Sequence, residues 1–450
     1  MDESPVGHSF PKWGPRGPFR VYSWTQAAVT GCGLVVAALM LVTGSLPQGL
    51  ALIGLLGTLL LRDTTGHPAW TRVGHGLGFL AAGWTGRRYW QASERRQVPP
   101  LLDGVRIEGC RLPHGVMGVA VDQGRYLAAM RLASLGNPWL QSPQDREVAA
   151  DDWARLVASL PFETIDRLQI LTVVRQGAGE ELVVDAATAK GPGREVLAEA
   201  AGHLTDEARR IDTIAVIRLT TRAGREVAER GGLDEVGRLL HSTLQHLGGQ
   251  LPAEAIWAEI LAPADWTDLV SSVLHRDDLP DVGVVEMEES WAAIRTDQTW
   301  HRMLWVWDWP QRPTAVGFLA PLLGSAGDRV VSLEIEPADP EPHQRSLDFA
   351  YRRAEAAVAT ATGGKHRKQA ELTALDHQLT EINQGHVPVR ALITTSVSST
   401  DRTQLDDLTR RLRSNVIASS CRIAVSAGIQ AGALNAVLPY CRGLDREAGR

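Results

Sequence analysis

The pattern of apolar and polar positions divides the chain into an apolar start and a long remainder of mixed pattern. No charged residue occurs in Thr25–Leu61, and a turn containing Pro47 splits this run into two parts. Thr25–Gly44 is long enough to cross the hydrocarbon core of a bilayer. Leu46–Leu61 is shorter and spans only if it runs nearly upright or if the bilayer thins locally. The pattern predicts a transmembrane helical hairpin over residues 25–62.

Basic residues flank both ends of this hairpin, and they predict its orientation. Positive residues stay in the cytoplasm, so residues 1–24, the basic juxtamembrane segment 63–100 and the whole remainder are expected inside, at the plasma membrane. Val73–Trp84 is apolar but too short to span, which indicates a segment lying on the membrane surface. The flanking residues are Lys12, Arg16 and Arg20 before the run and Arg62, Arg72, Arg87, Arg88, Arg95 and Arg96 after it.

An alternative interpretation is that the first apolar segment is a signal peptide and the second is a buried core helix. The first run is too long for the apolar part of a signal peptide, and no small-residue cleavage site precedes the second run. The membrane hairpin is therefore the favoured interpretation.

Residues 101–298 show short apolar or alternating runs separated by turn residues, followed by alternating strand and helix patterns. This order predicts an antiparallel meander and then an open α/β or α+β sandwich. The predicted strands are Val105–Ile107, Met117–Val121, Tyr126–Leu132, Leu168–Val174 and Asp212–Thr220, and the predicted helices are Asp145–Ser159, Val196–Arg209 and Leu233–Leu247.

Residues 299–450 form a second predicted α/β region, with a long helix near its end. Trp305, Trp307 and Trp309 would share one face of an extended strand, either as a partner surface or as core. Leu372, Leu375 and Leu379 would form an apolar seam on the long helix His343–Ile382, which Gly363-Gly364 divides. The other predicted elements are helices at Ala315–Leu323 and Asp401–Arg413 and strands at Asp328–Ile335, Val387–Ser396 and Cys421–Val425.

The charge distribution is asymmetric. Residues 1–100 contain nine of the 46 Lys and Arg and four of the 52 Asp and Glu, so 37 basic and 48 acidic residues remain beyond them. A basic membrane-proximal end suits anionic lipid, and the acidic remainder argues against direct nucleic-acid binding. The four cysteines do not lie at metal-binding spacing.

No sequence motif for catalysis, metal binding or cofactor binding is present. Gly363-Gly364-Lys365-His366 lacks both the upstream Gly and the Ser or Thr of a phosphate-binding loop. Adjacent carboxylates such as Asp151-Asp152 point about 100° apart on a helix and do not form an acid–base pair. We therefore expect no enzyme activity, no catalytic residue, no metal and no cofactor.

The residues from Gln369 to Leu444 resemble a known family. Gln369–Asp376, the strand Val389–Ser396, the helix from Asp401 and the closing Ala436–Leu444 (Ala-Val-Leu-Pro-Tyr-Cys-Arg-Gly-Leu) are similar to the end of the N-terminal domain of the VirB-type transfer ATPases of type IV secretion. In that family a Leu-Pro-containing element leads into the ATP-binding motor. Here the chain stops at Arg450, so the motor is expected to be a separate protein.

The order of elements resembles an actinobacterial conjugation family more closely. In that family a membrane hairpin similar to PrgI and the small VirB three-type proteins is joined to the motorless domain. The resemblance implies a membrane-anchored, non-catalytic scaffold for DNA or protein transfer. Its expected partners are membrane lipid, a separate ATPase and further transfer subunits, within an oligomeric complex.

Two alternatives remain open. An EccE-type component of type VII secretion would share the anchor and the scaffold role, and neighbouring genes would distinguish the two machines. A membrane-anchored enzyme with an unfamiliar site is the other, with His301 and Asp308 in the Trp300–Trp309 stretch as its best candidates. It requires a deep polar pocket at these residues.

Overall fold

The computed structural model describes most of the chain after residue 68. The described ranges are 69–92, 102–134, 152–176, 209–251, 256–274, 286–308, 319–337, 340–360, 389–419 and 421–443, without 87, 114, 154 and 158, together with isolated positions at 36, 47, 48, 148 and within 366–380. The predicted hairpin 25–62 lies outside these ranges except for three positions. Among the described helices, none combines the length and apolar composition needed to cross a bilayer.

The core is one large sheet in which every pair of neighbouring strands is antiparallel. Its order is β1-β8-β9-β10-β12-β11-β5-β6-β4-β3-β2, with β13 added to β10 and β7 added to β4. In chain order the strands are β1 (Tyr89–Gln91), β2 (Val105–Leu112), β3 (Gly115–Asp122), β4 (Arg125–Ser134), β5 (Ile165–Gln176), β6 (Arg209–Leu219), β7 (Ile256–Ile260), β8 (Glu286–Glu289), β9 (Ile294–Thr296), β10 (Thr299–Asp308), β11 (Asp328–Pro337), β12 (Val389–Ser399) and β13 (Arg422–Val425).

Helices cover both faces of this sheet. The described helices are α1 (Ala69–Trp84), α2 (Thr221–Gln250), α3 (Pro263–Val273), α4 (Ala320–Gly324), α5 (Pro340–Ala359), α6 (Arg402–Ala418) and α7 (Gln430–Asn435). α2 and α6 lie on one face, since Leu333 packs against the cluster beneath α2 and also against the cluster beneath α6. α3, α7 and the residues up to Cys441 cover the other face in one continuous apolar cluster.

The two halves of the sheet repeat one arrangement of elements. The first half runs β2-β3-β4, β5, β6, α2, β7, α3, and the second runs β8-β9-β10, β11, β12, α6, β13, α7, with α4 and α5 inserted before β11 and β12. Their sheet orders mirror each other about the central β5–β11 pair. β4 and β10 are both ten residues long, and β6 and β12 are both eleven.

The turns before β4 and β10 also have similar backbone conformations. Gln123 and Asp297 begin the two-residue turns before β4 and β10, with φ of 50° and 52°. Left-handed φ values at this position are typical of tight hairpins, whose twist matches that of the flanking strands. The described strands are therefore arranged as two similar halves of one sheet.

Most predicted elements of the described residues are confirmed, and the mixed α+β class is shown. The antiparallel meander, the helix that ends near Leu247 and the late strand–helix–strand order all occur. Of the two predicted arrangements, open α/β or α+β, the described residues show the second, because their strand pairs are antiparallel. β9 and β10 form a hairpin across residue 298, where the sequence pattern places a domain boundary.

Several predicted helices differ in extent or lie outside the description. α5 begins at Pro340 and ends at Ala359, and the described positions between 366 and 380 are helical again. Of the helix predicted at Val196–Arg209, only Arg209 is described, and it begins β6. α4 covers Ala320–Gly324, and residues 315–318 lie outside the description.

Candidate functional site

The segment Ala436–Gly443, which contains most of the resembling closing string, lies across the middle of the sheet. Its apolar side chains at Val437, Leu438 and Tyr440 are buried with those of α3. Burial of this kind is the main driving force that fixes such a segment against a sheet. We call residues Ala436–Gly443 the C-terminal segment.

Buried polar side chains of the central strands bind the backbone of the C-terminal segment. Gln169 Nε2 donates to the carbonyl oxygens of Ala436 (3.2 Å) and Leu438 (3.0 Å), and its Oε1 accepts from the Cys441 backbone nitrogen at 3.1 Å. Arg218 Nη1 donates to the Cys441 carbonyl at 2.7 Å. Such bonds satisfy backbone groups that have no strand partner.

Two charged side chains complete this polar network. Glu334 accepts from the Gly443 nitrogen at 2.8 Å, and Arg167 lies 3.3 Å from the same carboxylate. Gly443 has φ of 63°, and a Cβ there would lie 2.7 Å from Arg167 Nη1, so only glycine fits without a shift. Burial raises the pKa of the Cys441 thiol, so the thiol stays protonated and contributes as a small apolar group.

The tryptophans of β10 occupy two faces of the strand. Trp300 packs toward α6, and the guanidinium groups of Arg402 and Arg295 lie 4.9 Å and 5.7 Å from its ring centroid. Trp305 and Trp307 are half-buried and alternate with the buried Leu304 and Val306. Trp309 lies outside the described residues.

Trp307 stands at an irregularity of the sheet. The register between β10 and β13 shifts between Val306 and Asp308, so Trp307 is the extra residue of a bulge. Its ring centroid lies 5.8 Å from the guanidinium carbon of Arg422. Bulges re-aim a side chain, and an aromatic ring beside an arginine is a common component of protein interfaces.

The predicted leucine seam packs within the chain. Leu375 is buried together with Leu347 and Ala354 of α5, and Leu372 and Leu379 pack against this small cluster. The structure therefore pairs the seam with α5 and does not bring it together with the β10 tryptophans.

His301 is fully buried in the sheet. Its Nε2 lies 2.7 Å from Thr296 Oγ1 and its Nδ1 lies 2.8 Å from Ser398 Oγ, so both ring nitrogens have hydroxyl partners. Burial lowers the pKa of His301 to about 3, which keeps the ring neutral. These two hydrogen bonds pair the polar groups of a histidine that is buried within the sheet.

The larger of two described cavities lies away from His301 and the β10 tryptophans. It has a volume of about 330 Å³ and lies between α3 and the ends of three strands. Its charged lining consists of three basic residues, Arg131, Arg175 and Arg210, and two acidic residues, Asp212 and Asp268. Arg210 Nε donates to Asp212 at 2.9 Å. Neither His301 nor Asp308 lines either of these two cavities.

Helix α1 follows the uncharged run Thr25–Leu61 in the sequence and has exposed apolar side chains. Leu77, Leu80 and Trp84 are 63%, 51% and 88% exposed, so α1 carries more exposed large apolar side chains than any other described helix. Phe79 of the same helix contacts Trp291 with ring centroids 5.4 Å apart. The segment Val73–Trp84, predicted to lie on a surface, is thus helical and presents apolar side chains outward.

Sequence reasoning missed the residues that hold the C-terminal segment. These residues lie on strands whose sequences are mainly apolar, and their side chains are on the face of the sheet opposite α2. They are Arg167, Gln169, Arg218 and Glu334. A polar residue alternating within a buried strand was the available signal. No protein-family model matches this chain, and no curated protein matches it either.

Proposed function

We propose that this protein is a membrane-anchored, non-catalytic scaffold of a conjugative, type IV secretion-like transfer apparatus. Its role is to dock a separate ATPase at the membrane. The observation that carries the proposal is the outward apolar face of α1, which follows the uncharged run Thr25–Leu61 after a few residues. An exposed apolar helix face of this kind marks a lipid or protein contact.

The docking role rests on the family resemblance of Gln369–Leu444 and is supported by two features of the fold. The C-terminal segment is held by buried hydrogen bonds, so the resembling string belongs to the folded body. Trp307, beside Arg422, is half-buried near the end of β10, and the two are of the residue types that dominate binding energy at interfaces.

Affinity capture from detergent-solubilised membranes tests the docking role. The tagged full-length chain should recover a P-loop ATPase, identified by mass spectrometry, because the motor is proposed to be a separate protein. Trp307→Ala should reduce this recovery by tenfold or more, the range expected for an interface aromatic. Ile417→Ala, at an exposed position of α6, should leave recovery unchanged.

Three results would contradict the proposal. Recovery of soluble metabolic enzymes alone would remove the ATPase partner. Equal recovery with Trp307→Ala and wild type would remove the β10 surface as its contact. An FtsK-like ATPase with small WxG proteins among the partners would replace type IV secretion by the EccE-type alternative.

A further inference from the structure

Five exposed apolar side chains are concentrated at one end of the sheet. They belong to α1, to β1 and to the turn between β8 and β9, and we call them the apolar patch. Its members are Leu77, Leu80, Trp84, Tyr89 and Trp291. Exposed apolar side chains concentrated in one region of a surface mark a contact with lipid or with a partner.

The two sides of α1 have different environments. Leu77, Leu80 and Trp84 follow a spacing of three and four residues, so they form one stripe along the helix. Phe79 points to the other side, where it contacts Trp291 edge to face. The stripe is therefore the outer side of a helix whose inner side is already packed.

The inner side of α1 is fixed to the sheet. The Arg88 guanidinium carbon lies 4.4 Å from the Phe79 ring centroid, and Trp291 accepts a hydrogen bond at its carbonyl from the Gly428 nitrogen at 2.7 Å. A Cβ at Gly428 would lie 2.5 Å from the Trp291 ring, so these groups are in close contact. Trp291 thus contacts both α1 and the loop that contains Gly428.

The length of chain before α1 identifies what covers the patch. α1 begins at Ala69, eight positions after Leu61. An extended chain of that length covers at most about 30 Å, so α1 must lie close to the place where the uncharged run ends. If that run lies in the bilayer, the first residue of α1 is within about 30 Å of the membrane, close enough for α1 to contact it.

The chemistry of the patch fits the headgroup region of a bilayer. Trp84 and Tyr89 are the aromatic types enriched at this depth, and Arg88 supplies a positive charge beside them. The neighbouring carboxylates of Glu286 and Glu288 lie 2.6 Å and 3.1 Å from Arg295 Nη2, so one positive charge offsets part of their negative charge.

We infer that the apolar patch inserts into the headgroup region of the membrane and orients the sheet with its β1–β8 end toward the bilayer. The β2 end of the sheet then points away into the cytoplasm. This inference rests on the proposed membrane anchorage and adds a defined contact and a defined orientation to it. Lipid is the occupant, and a protein partner at the same patch is the competing outcome.

Environment-sensitive labelling of the full chain in lipid nanodiscs tests the inference. An NBD fluorophore is attached to Leu80→Cys or Leu77→Cys and, as the matched control, to Val116→Cys at the far end of the sheet, which is also exposed and apolar. Every variant carries Cys32→Ser, and the described native cysteines are buried. Nitroxide lipids labelled near the headgroup serve as quenchers.

We expect the label at Leu80 and Leu77 to shift to shorter wavelength and to lose at least half of its emission to the quenching lipids. The label at Val116 should keep its emission in the same nanodiscs. Unquenched labels at both α1 positions, or equal quenching at Val116, would overturn the inference. A label that is shielded but not quenched would assign the patch to a protein partner and would also overturn it.

Flotation of the same samples separates this inference from the proposed anchorage. Protein that floats with the lipid while its α1 labels remain unquenched contradicts the orientation alone. Protein that does not associate with lipid contradicts the anchorage and the orientation together.

Discussion

Arg442 and Asp122 lie 320 positions apart and form a bidentate ion pair. Arg442 Nε lies 2.8 Å from Asp122 Oδ2, and Arg442 Nη2 lies 2.7 Å from Asp122 Oδ1. Asp122 ends β3 in the first half of the sheet, and Arg442 is near the end of the C-terminal segment. Both side chains are largely removed from solvent. The pair therefore joins the last part of the chain to the first hairpin of the sheet.

Removing one partner of this pair should destabilise the fold strongly. Arg442→Ala leaves the buried Asp122 carboxylate unpaired, and we expect the free energy of unfolding to fall by about 3–5 kcal/mol. Arg410→Ala is the control, because Arg410 and Asp407 form an exposed ion pair on α6. The control should change stability by about 0.5 kcal/mol or less. Urea denaturation of the detergent-purified chain measures both, and equal effects would contradict the structural role of Arg442.

The buried His301 should make the protein sensitive to acid. Its pKa in the folded protein is about 3, below the ordinary value of 6.5, because burial disfavours the charged ring. The unfolded chain therefore binds the proton more readily, and stability is lost as the pH falls from 6.5 to about 3. The expected slope is about 1.4 kcal/mol per pH unit.

His301→Gln removes this titration, so its stability should depend less on pH over the same range. Burial raises the pKa of Glu289 and Asp328, which has the opposite effect on stability in acid. The difference between wild type and variant cancels those contributions. Parallel pH profiles for the two proteins would show that His301 does not carry this acid sensitivity.

Two glycines of α2 should respond to alanine in opposite directions. A Cβ at Gly237 would lie 2.0 Å from Cys110 Sγ on β2, whereas a Cβ at Gly249 meets nothing within 4 Å. Gly237→Ala should therefore destabilise the chain by about 1–3 kcal/mol through overpacking. Gly249→Ala should leave stability unchanged or raise it by up to about 1 kcal/mol, since alanine favours helix. Thermal unfolding checks both, and a stabilising Gly237→Ala would contradict the close contact between α2 and β2.

The leucine seam (Leu372, Leu375 and Leu379) should stabilise α5, against which it packs. Leu375→Ala leaves a cavity beside Leu347 and Ala354, and we expect it to lower the free energy of unfolding of this region by about 2–5 kcal/mol. Amides of α5 should then exchange with deuterium faster, while Thr380→Ala at an exposed position should not alter their exchange. Unchanged exchange in both variants would leave the seam free for a partner.

Local pattern was sufficient to predict most individual elements. The β2–β3–β4 meander was predictable because Asp103-Gly104 marks the start of β2 and Gln123-Gly124 forms the tight turn between β3 and β4. The start of α6 was predictable because Asp401 caps it, accepting from the Thr403 nitrogen at 2.9 Å. In each case the interactions that fix the element lie within a few residues.

The sheet order and the candidate surfaces depend on distant partners and could not be predicted in the same way. β10 pairs with β12 and β13, which follow it by about ninety residues or more, and the repeat of the two halves leaves little trace in residue type. Arg131 in β4 and Trp305 in β10 stand at matching positions of strands of equal length, yet one lines a cavity and the other is a half-buried aromatic. Packing of the whole chain decides these roles.

Extraction of isolated membranes with alkaline carbonate tests the central claim most directly. The full-length chain should remain in the pellet with integral membrane proteins, because residues 25–62 are proposed to cross the bilayer twice. A chain with that segment deleted should move to the supernatant. Release of the full-length chain into the supernatant would contradict the membrane anchorage on which the scaffold role depends.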